Sequence, residues 1–358
     1  MEKVMMKGNE ALAEGAIRGG CQCYFGYPIT PQSEVAEYMS RRMPELGRVF
    51  LQTESEVATI NYLYGAAGAG VRCMTTSSSP GISLMQEGIS YLIGAELPCL
   101  IANVVRGGPG LGNIQPAQAD YWQATKGGTH GDCRMIVLAP NSVQEMFDFA
   151  REAFELAEKY RNPVFILADG ALGQMMEPVE LKPFVEFDPH KNDSWATTGA
   201  KNREPHVITS IHLEPEEMEE FNRHLQAKYL LMEKNEVRWE NYQTSDDDLD
   251  ILIVAYGIAS RVCRNAVDDL RASGIKAGLL RPITLWPFPK EEIRKFAERK
   301  IPILVVELNM GQMLEDVLLA VEGRTHVDFY GRYAGIIPSS DEIVKKAFEV
   351  LKKSGKNA

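Results

Sequence analysis

The chain has 358 residues, 45% of them hydrophobic, enough for two or three domains with substantial cores. A net charge of −11 argues against a general nucleic-acid or membrane surface, while leaving room for a local cationic pocket that takes a small anion. The N-terminus, with Lys3 and Lys7 ahead of Gly8, Asn9 and Glu10, lacks the apolar core of a signal peptide, and no uncharged run approaches a membrane span; a cytoplasmic protein is expected.

From Asn9 to Ala168 helical and strand-like segments alternate at the rhythm of βα units, which predicts a mainly parallel sheet covered on both faces. Strands are predicted at residues 23–27, 49–52, 71–76, 99–105, 136–139 and 164–168. The clearest helix starts after Ser142, where Ser142-Val143-Gln144-Glu145 has capping-box form and Met146, Phe147, Ala150, Phe154 and Ala157 continue an apolar face. Residues 1–180 thus form a first α/β domain. Residues 181–248 are charged and proline-punctuated but rich in aromatic residues, and read as an excursion or linker that wraps a neighbouring surface. A second, smaller α/β domain over 249–358 opens on the apolar run 249–255 and Gly257. The six cysteines include no Cys-x-x-Cys pair and no convergent Cys/His spacing, so no metal site is assigned, and any iron–sulfur cluster must lie on another chain.

Four segments at predicted strand ends carry candidate chemistry. In Tyr27-Pro28-Ile29-Thr30-Pro31, Pro31 fits the first helical position and Thr30 the N-cap; Thr30 is either an ordinary cap or a ligand-binding hydroxyl at a strand end. Glu54 and Glu56 open the next helix, either complementing its dipole or aiming a carboxylate into a cleft. Thr75-Thr76-Ser77-Ser78-Ser79-Pro80-Gly81 precedes a helix whose free amides suit a polar ligand, or is simply a solvated turn. Arg106 ends an apolar strand ahead of Gly107-Gly108-Pro109-Gly110, where it is exposed or takes a carboxylate bidentately. His130 lies in a further glycine-containing loop, without an identified partner for acid–base work.

Together, Tyr27-Pro28-Ile29-Thr30-Pro31, Glu54-Ser55-Glu56, Ser78-Ser79-Pro80-Gly81 and Arg106-Gly107-Gly108-Pro109 resemble the alpha subunit of 2-oxoacid:ferredoxin oxidoreductases. The similarity extends through Leu138 to Glu145 and Leu280-Arg281-Pro282-Ile283-Thr284-Leu285. Within that family, residues 110–116 and Ala119-Asp120-Tyr121 are similar to the branched-chain type, which acts on 3-methyl-2-oxobutanoate. The resemblance implies a thiamine-diphosphate-binding fold of pyrimidine-binding type, followed by a transketolase-C-terminal-like domain. It implies Glu56 as the cofactor glutamate, preferred over Glu54 because nine residues separate it from Gly65. It implies Thr30 and Arg106 as substrate-binding residues, and Tyr27, Pro28, Ile29, Ser79 and Pro80 as cofactor-binding.

The implied reaction is oxidative decarboxylation with coenzyme A to an acyl-CoA and carbon dioxide, reducing ferredoxin, in anaerobic metabolism. Thiamine diphosphate would be shared with a beta subunit holding its diphosphate half. Mg2+ and 4Fe-4S clusters would lie on partner chains, which include a gamma subunit and a ferredoxin-like iron–sulfur subunit. The absence of a Gly-Asp-Gly motif followed by Asn agrees with that division. Three alternatives are a 2-oxoglutarate-specific alpha subunit, a noncatalytic assembly subunit, and a nicotinamide-dependent oxidoreductase. The last rests on Gly65, Gly68 and Gly70, which fall late in a helix rather than between strand and helix.

Overall fold

Six of the apolar runs pair as parallel strands, in the order Ile136–Leu138, Val164–Asp169, Leu100–Val105, Cys73–Ser77, Cys23–Gly26 and Val49–Gln52. Their bounds in the computed structural model, which describes residues 3–355, lie within two residues of those expected from the sequence. A seventh strand, Thr284–Trp286, comes from the far end of the chain and pairs antiparallel with Ile136–Leu138.

The sheet is buried on both faces because side chains alternate along each strand. Tyr24, Met74, Leu100 and Ala102 face a core shared with helices Gly8–Arg18, Ser33–Glu45 and Val143–Tyr160. Phe25, Cys73, Ile101 and Val105 face the opposite core, with helices Glu56–Gly68 and Pro80–Gly94. Ser142 caps its helix as expected, its Oγ accepting from the Glu145 amide at 3.1 Å. The reciprocal half of the box does not form. Glu145 instead accepts from the Asn141 amide and from the buried Arg281, which draws its carboxylate toward the second domain.

The expected cap at Thr30 is corrected by the structure. The helix begins at Ser33 with Gln32 before it, and the intervening residues close a turn in which the Gln32 amide donates to the Ile29 carbonyl. The Pro31 carbonyl is taken by the side-chain amides of Asn9 and Gln174 instead of an intrahelical amide, so Thr30 and Pro31 stay in the loop.

A second sheet holds the parallel strands Val327–Gly331, Ile303–Glu307, Ile251–Val254 and Ala277–Pro282, with Trp239–Tyr242 antiparallel at its edge. Residues 181–248 supply that edge strand and also wrap back over the first sheet. Helix Pro215–Asn235 buries Leu225, Tyr229 and Met232 there, Trp195 lies under the Arg161 guanidinium, and Asn192 and Thr197 donate to the carbonyls of Gly70 and Gly68. Leu252, Val254 and Ile303 continue the apolar core around Ile101, so the two sheets are not separate bodies joined by a tether.

Gln118 forms the polar seam between them. Its amide side chain donates to the Tyr256 carbonyl and accepts from the Leu308 amide, while its own carbonyl accepts from Tyr256 Oη and Asn309 Nδ2. Among the described residues no helix is long and apolar enough to cross a membrane.

Candidate functional site

Strand order reverses between Cys23–Gly26 and Cys73–Ser77, since the chain adds Val49–Gln52 on one side of the first strand and everything later on the other. Such a reversal opens a crevice at the carboxyl ends of the strands, the usual ligand position in open α/β sheets. All four candidate segments leave that edge, on loops and the first turns of the helices that follow them: residues 27–32, 53–56, 78–81 and 106–116.

The first loop is anchored from behind. Asn9 Nδ2 donates to the Pro31 carbonyl at 2.8 Å, and the fully buried Gln32 accepts from Thr76 Oγ1, itself 2.7 Å from Tyr24 Oη. Tyr27, Pro28 and Thr30 are thereby left exposed and Ile29 half-buried. Arg106 is buried at the end of its strand, with Nη1 donating to the Thr30 carbonyl at 2.9 Å and Nη2 to the Leu111 carbonyl at 3.2 Å. Its Nε finds no partner among the described residues. A guanidinium held by two neutral carbonyls, and by no carboxylate among the described residues, is left to pair with an anion.

Ser55 caps helix Glu56–Gly68 through the Ala58 amide, which sets Glu56 in the first turn. Glu56 is buried whereas Glu54 is exposed. Gly81 lies against its carboxylate: a Cβ there would come within 2.7 Å of Glu56 Oε1 and 2.1 Å of Ser77 Oγ. The Ser77 and Ser78 hydroxyls are buried without partners among the described residues. Together these groups form a cradle of one carboxylate and uncommitted hydroxyls, kept open by a glycine.

Half-buried Ser79 joins the two ends of the crevice, its Oγ accepting from the Arg106 amide at 3.1 Å while Pro80 opens the helix behind it. Glu56, Ser79, Arg106 and Thr30 are therefore gathered at one sheet edge. His130 is not: its exposed ring stacks edge-on to Tyr91, and its carbonyl accepts from Ser90 Oγ, far along helix Pro80–Gly94.

The sequence reading missed Gln32, Gln118 and Asn103. Asn103 alone had a visible signal, as the single polar residue in an otherwise apolar strand. Buried acids also cluster near the seam. Burial pushes the Asp169 carboxyl up although the Leu172 and Ile258 amides donate to it, and burial raises Glu307 to about 7.

Residues 14–243 match the pyruvate flavodoxin/ferredoxin oxidoreductase family, thiamine diphosphate-binding, and residues 249–343 match pyruvate:ferredoxin oxidoreductase core domain II. A ketoisovalerate oxidoreductase subunit VorB from Methanothermobacter marburgensis is 54% identical over 99% of each chain. A 2-oxoglutarate synthase subunit KorA from the same organism is 38% identical, over 96% of this chain and 98% of that one. Among solved structures, a 2-oxoglutarate:ferredoxin oxidoreductase from Magnetococcus marinus aligns with a TM-score of 0.87 at 28% identity, over 98% of this chain. This chain spans 65% of the length of that one. The α/β fold, the crevice at its topological switch and these matches agree: the chain belongs to the pyruvate flavodoxin/ferredoxin oxidoreductase family, the 2-oxoacid:ferredoxin oxidoreductases.

Proposed function

We propose that this chain is the alpha-type subunit of a 2-oxoacid:ferredoxin oxidoreductase that converts 3-methyl-2-oxobutanoate (ketoisovalerate), with coenzyme A, to an acyl-CoA and carbon dioxide while reducing ferredoxin. The observation that carries the substrate choice is 54% identity over nearly the whole chain to a ketoisovalerate oxidoreductase subunit, against 38% to a 2-oxoglutarate synthase subunit.

When bound, thiamine diphosphate supplies the carbon nucleophile and the electron sink. Glu56 holds the pyrimidine ring nitrogen by a charge-assisted hydrogen bond. Ser79, Pro80, Tyr27, Pro28 and Ile29 line the same face. Support for this assignment comes from the buried carboxylate, the partnerless Ser77 and Ser78 hydroxyls and the missing side chain at Gly81, a polar cradle suited to an aromatic nitrogen heterocycle. Arg106 exchanges the Leu111 carbonyl for the substrate carboxylate, while Thr30 orients the 2-oxo group.

The wider assembly follows from the same reading. A beta subunit carries the diphosphate half of the cofactor with Mg2+, a gamma subunit and a ferredoxin-like subunit complete the complex with its 4Fe-4S clusters, and the whole works in the cytoplasm. Within this chain, residues 1–180 act as the pyrimidine-binding domain, 181–248 as the excursion and 249–358 as the transketolase-C-terminal-like domain.

The test is viologen reduction by the co-expressed complex with coenzyme A across branched, straight, dicarboxylic and aromatic 2-oxoacids. Highest kcat/KM for 3-methyl-2-oxobutanoate is expected, and preference for 2-oxoglutarate overturns the substrate assignment. Glu56→Gln is expected to abolish turnover with assembly intact; unchanged turnover removes Glu56 from the chemistry and favours a noncatalytic assembly role.

A further inference from the structure

Asn103 is fully buried in Leu100–Val105, a strand otherwise made of Leu, Ile, Ala and Val. An unpaired amide buried there would be costly, so its partners matter. Alternation puts it on the same face as Ile101 and Val105, toward helices Glu56–Gly68 and Pro80–Gly94. Its Oδ1 accepts from the Ser79 amide at 3.0 Å, and its Nδ2 donates to Asp120 Oδ2 at 2.8 Å.

Ser79 has φ 24° and ψ −81°, a conformation that is strained for a non-glycine residue and persists only where its surroundings impose it. The surroundings here are specific. Asn103 holds the Ser79 amide, while Ser79 Oγ accepts from the Arg106 amide at 3.1 Å and lies 3.3 Å from the Arg106 carbonyl, to which it donates. One hydroxyl thus grips both polar groups of the Arg106 main chain. Two residues further on, Gly81 rests against the Glu56 carboxylate. Ser79 is therefore the spacer between the carboxylate at one end of the crevice and the guanidinium at the other.

Asp120 anchors the spacer to the rest of the molecule. It lies two residues after Gln118, the seam to the second domain, and directly precedes Tyr121, whose hydroxyl donates to Asp316 of that domain. Burial pushes the Asp120 carboxyl up, while the hydrogen bond from Asn103 pulls it back.

We propose that Asn103 and Asp120 are positioning residues for the reaction: they lock Ser79 in its strained conformation and so fix the distance from Glu56 to the carboxylate-binding Arg106. The proposal rests on the functional reading above and adds two residues to which that reading assigns no contact with cofactor or substrate. It predicts a distinctive polarity requirement. The Ser79 amide needs an acceptor at position 103, and positions 103 and 120 need one donor between them.

Asn103→Asp keeps the acceptor but sets two carboxylates 2.8 Å apart, which must share a proton or separate. Asp120→Asn keeps an acceptor for Asn103 and is expected to stay within about threefold of wild type. The swap Asn103→Asp with Asp120→Asn restores donor facing acceptor with the roles exchanged.

The experiment measures KM and kcat for 3-methyl-2-oxobutanoate in the co-expressed complex for wild type, both single variants and the swap. Asn103→Asp is expected to raise KM at least about tenfold with a smaller change in kcat, because the substrate end of the crevice moves while Glu56 keeps its place. The swap is expected to return KM to within about threefold of wild type. A swap that assembles while Asn103→Asp does not also supports the pairing. Wild-type KM in Asn103→Asp, a swap no better than the single variant, or a swap that fails to assemble each overturns it. A wild-type complex inert toward every 2-oxoacid overturns the functional reading itself, and this assignment with it.

Discussion

Gly81→Ala separates stability from activity, because the atoms its new methyl meets are the ends of side chains rather than backbone. The Cβ would stand 2.1 Å from Ser77 Oγ, 2.7 Å from Glu56 Oε1 and 3.0 Å from Glu56 Cγ. Overpacking of this kind costs about 1–3 kcal/mol, and alanine at a helical position recovers up to about 1 kcal/mol of it. The Ser77 hydroxyl rotates away cheaply, having no partner to lose. Glu56 must also give way, and the net loss of stability is about 0–3 kcal/mol, a shift of several degrees in Tm. Activity is hit harder. Displacing the carboxylate by about an ångström forfeits most of a charge-assisted hydrogen bond, about 2–3 kcal/mol, or roughly 30- to 150-fold in turnover. The assay pairs thermal melting of the purified complex with viologen reduction at saturating thiamine diphosphate and 3-methyl-2-oxobutanoate. Wild-type turnover, or loss of activity accompanied by collapse of Tm by tens of degrees, refutes the reasoning.

Arg106→Ala removes the cation and leaves the Thr30 and Leu111 carbonyls without their donor, so kcat/KM for 2-oxoacids is expected to fall by an amount on the order of 2–5 kcal/mol, mainly through KM. Arg106→Lys should recover little of this, since a compact ammonium lacks the planar fork that holds the Thr30 carbonyl while presenting parallel donors to a carboxylate; an unchanged substrate KM in either variant removes Arg106 from the pocket. Burial raises Glu307 from the usual 4.5 to about 7, so the native state holds a proton there that the unfolded chain releases. The stability this confers is complete below pH 4.5 and is lost as pH rises through about 7, a drop of about 3 kcal/mol across the window. Glu307→Gln should therefore flatten the fall in Tm between pH 5 and about 7.5, and parallel Tm profiles for the two proteins would refute the assignment.

Much of the first domain was readable from spacing alone. Short apolar runs separated by capped helices can only be strands covered on both faces, and Ser142 sits where a helix needs an acceptor for its first free amides. The four site segments were readable as strand ends for the same reason. Their partners were not. Whether Thr30 caps a helix depends on the turn from Ile29 to Gln32, and Gln32 is fixed by Thr76, 44 residues away. Strands Thr284–Trp286 and Trp239–Tyr242 are only three and four residues long, too short for a local pattern to say that one completes the first sheet and the other edges the second.

The sequence by itself determined the six parallel strands of the first sheet, the helix after Ser142 and the family, because propensity, alternation and capping act over a few residues and leave their mark in spacing. The tertiary structure alone decided that Glu56 is buried and Glu54 exposed, that Arg106 reaches back 76 residues to the Thr30 carbonyl, and that Asn103 joins Ser79 to Asp120. Those relations are hydrogen bonds between residues distant in the chain. Their energy depends on where the sheet's reversal brings the loops, a quantity no local window contains.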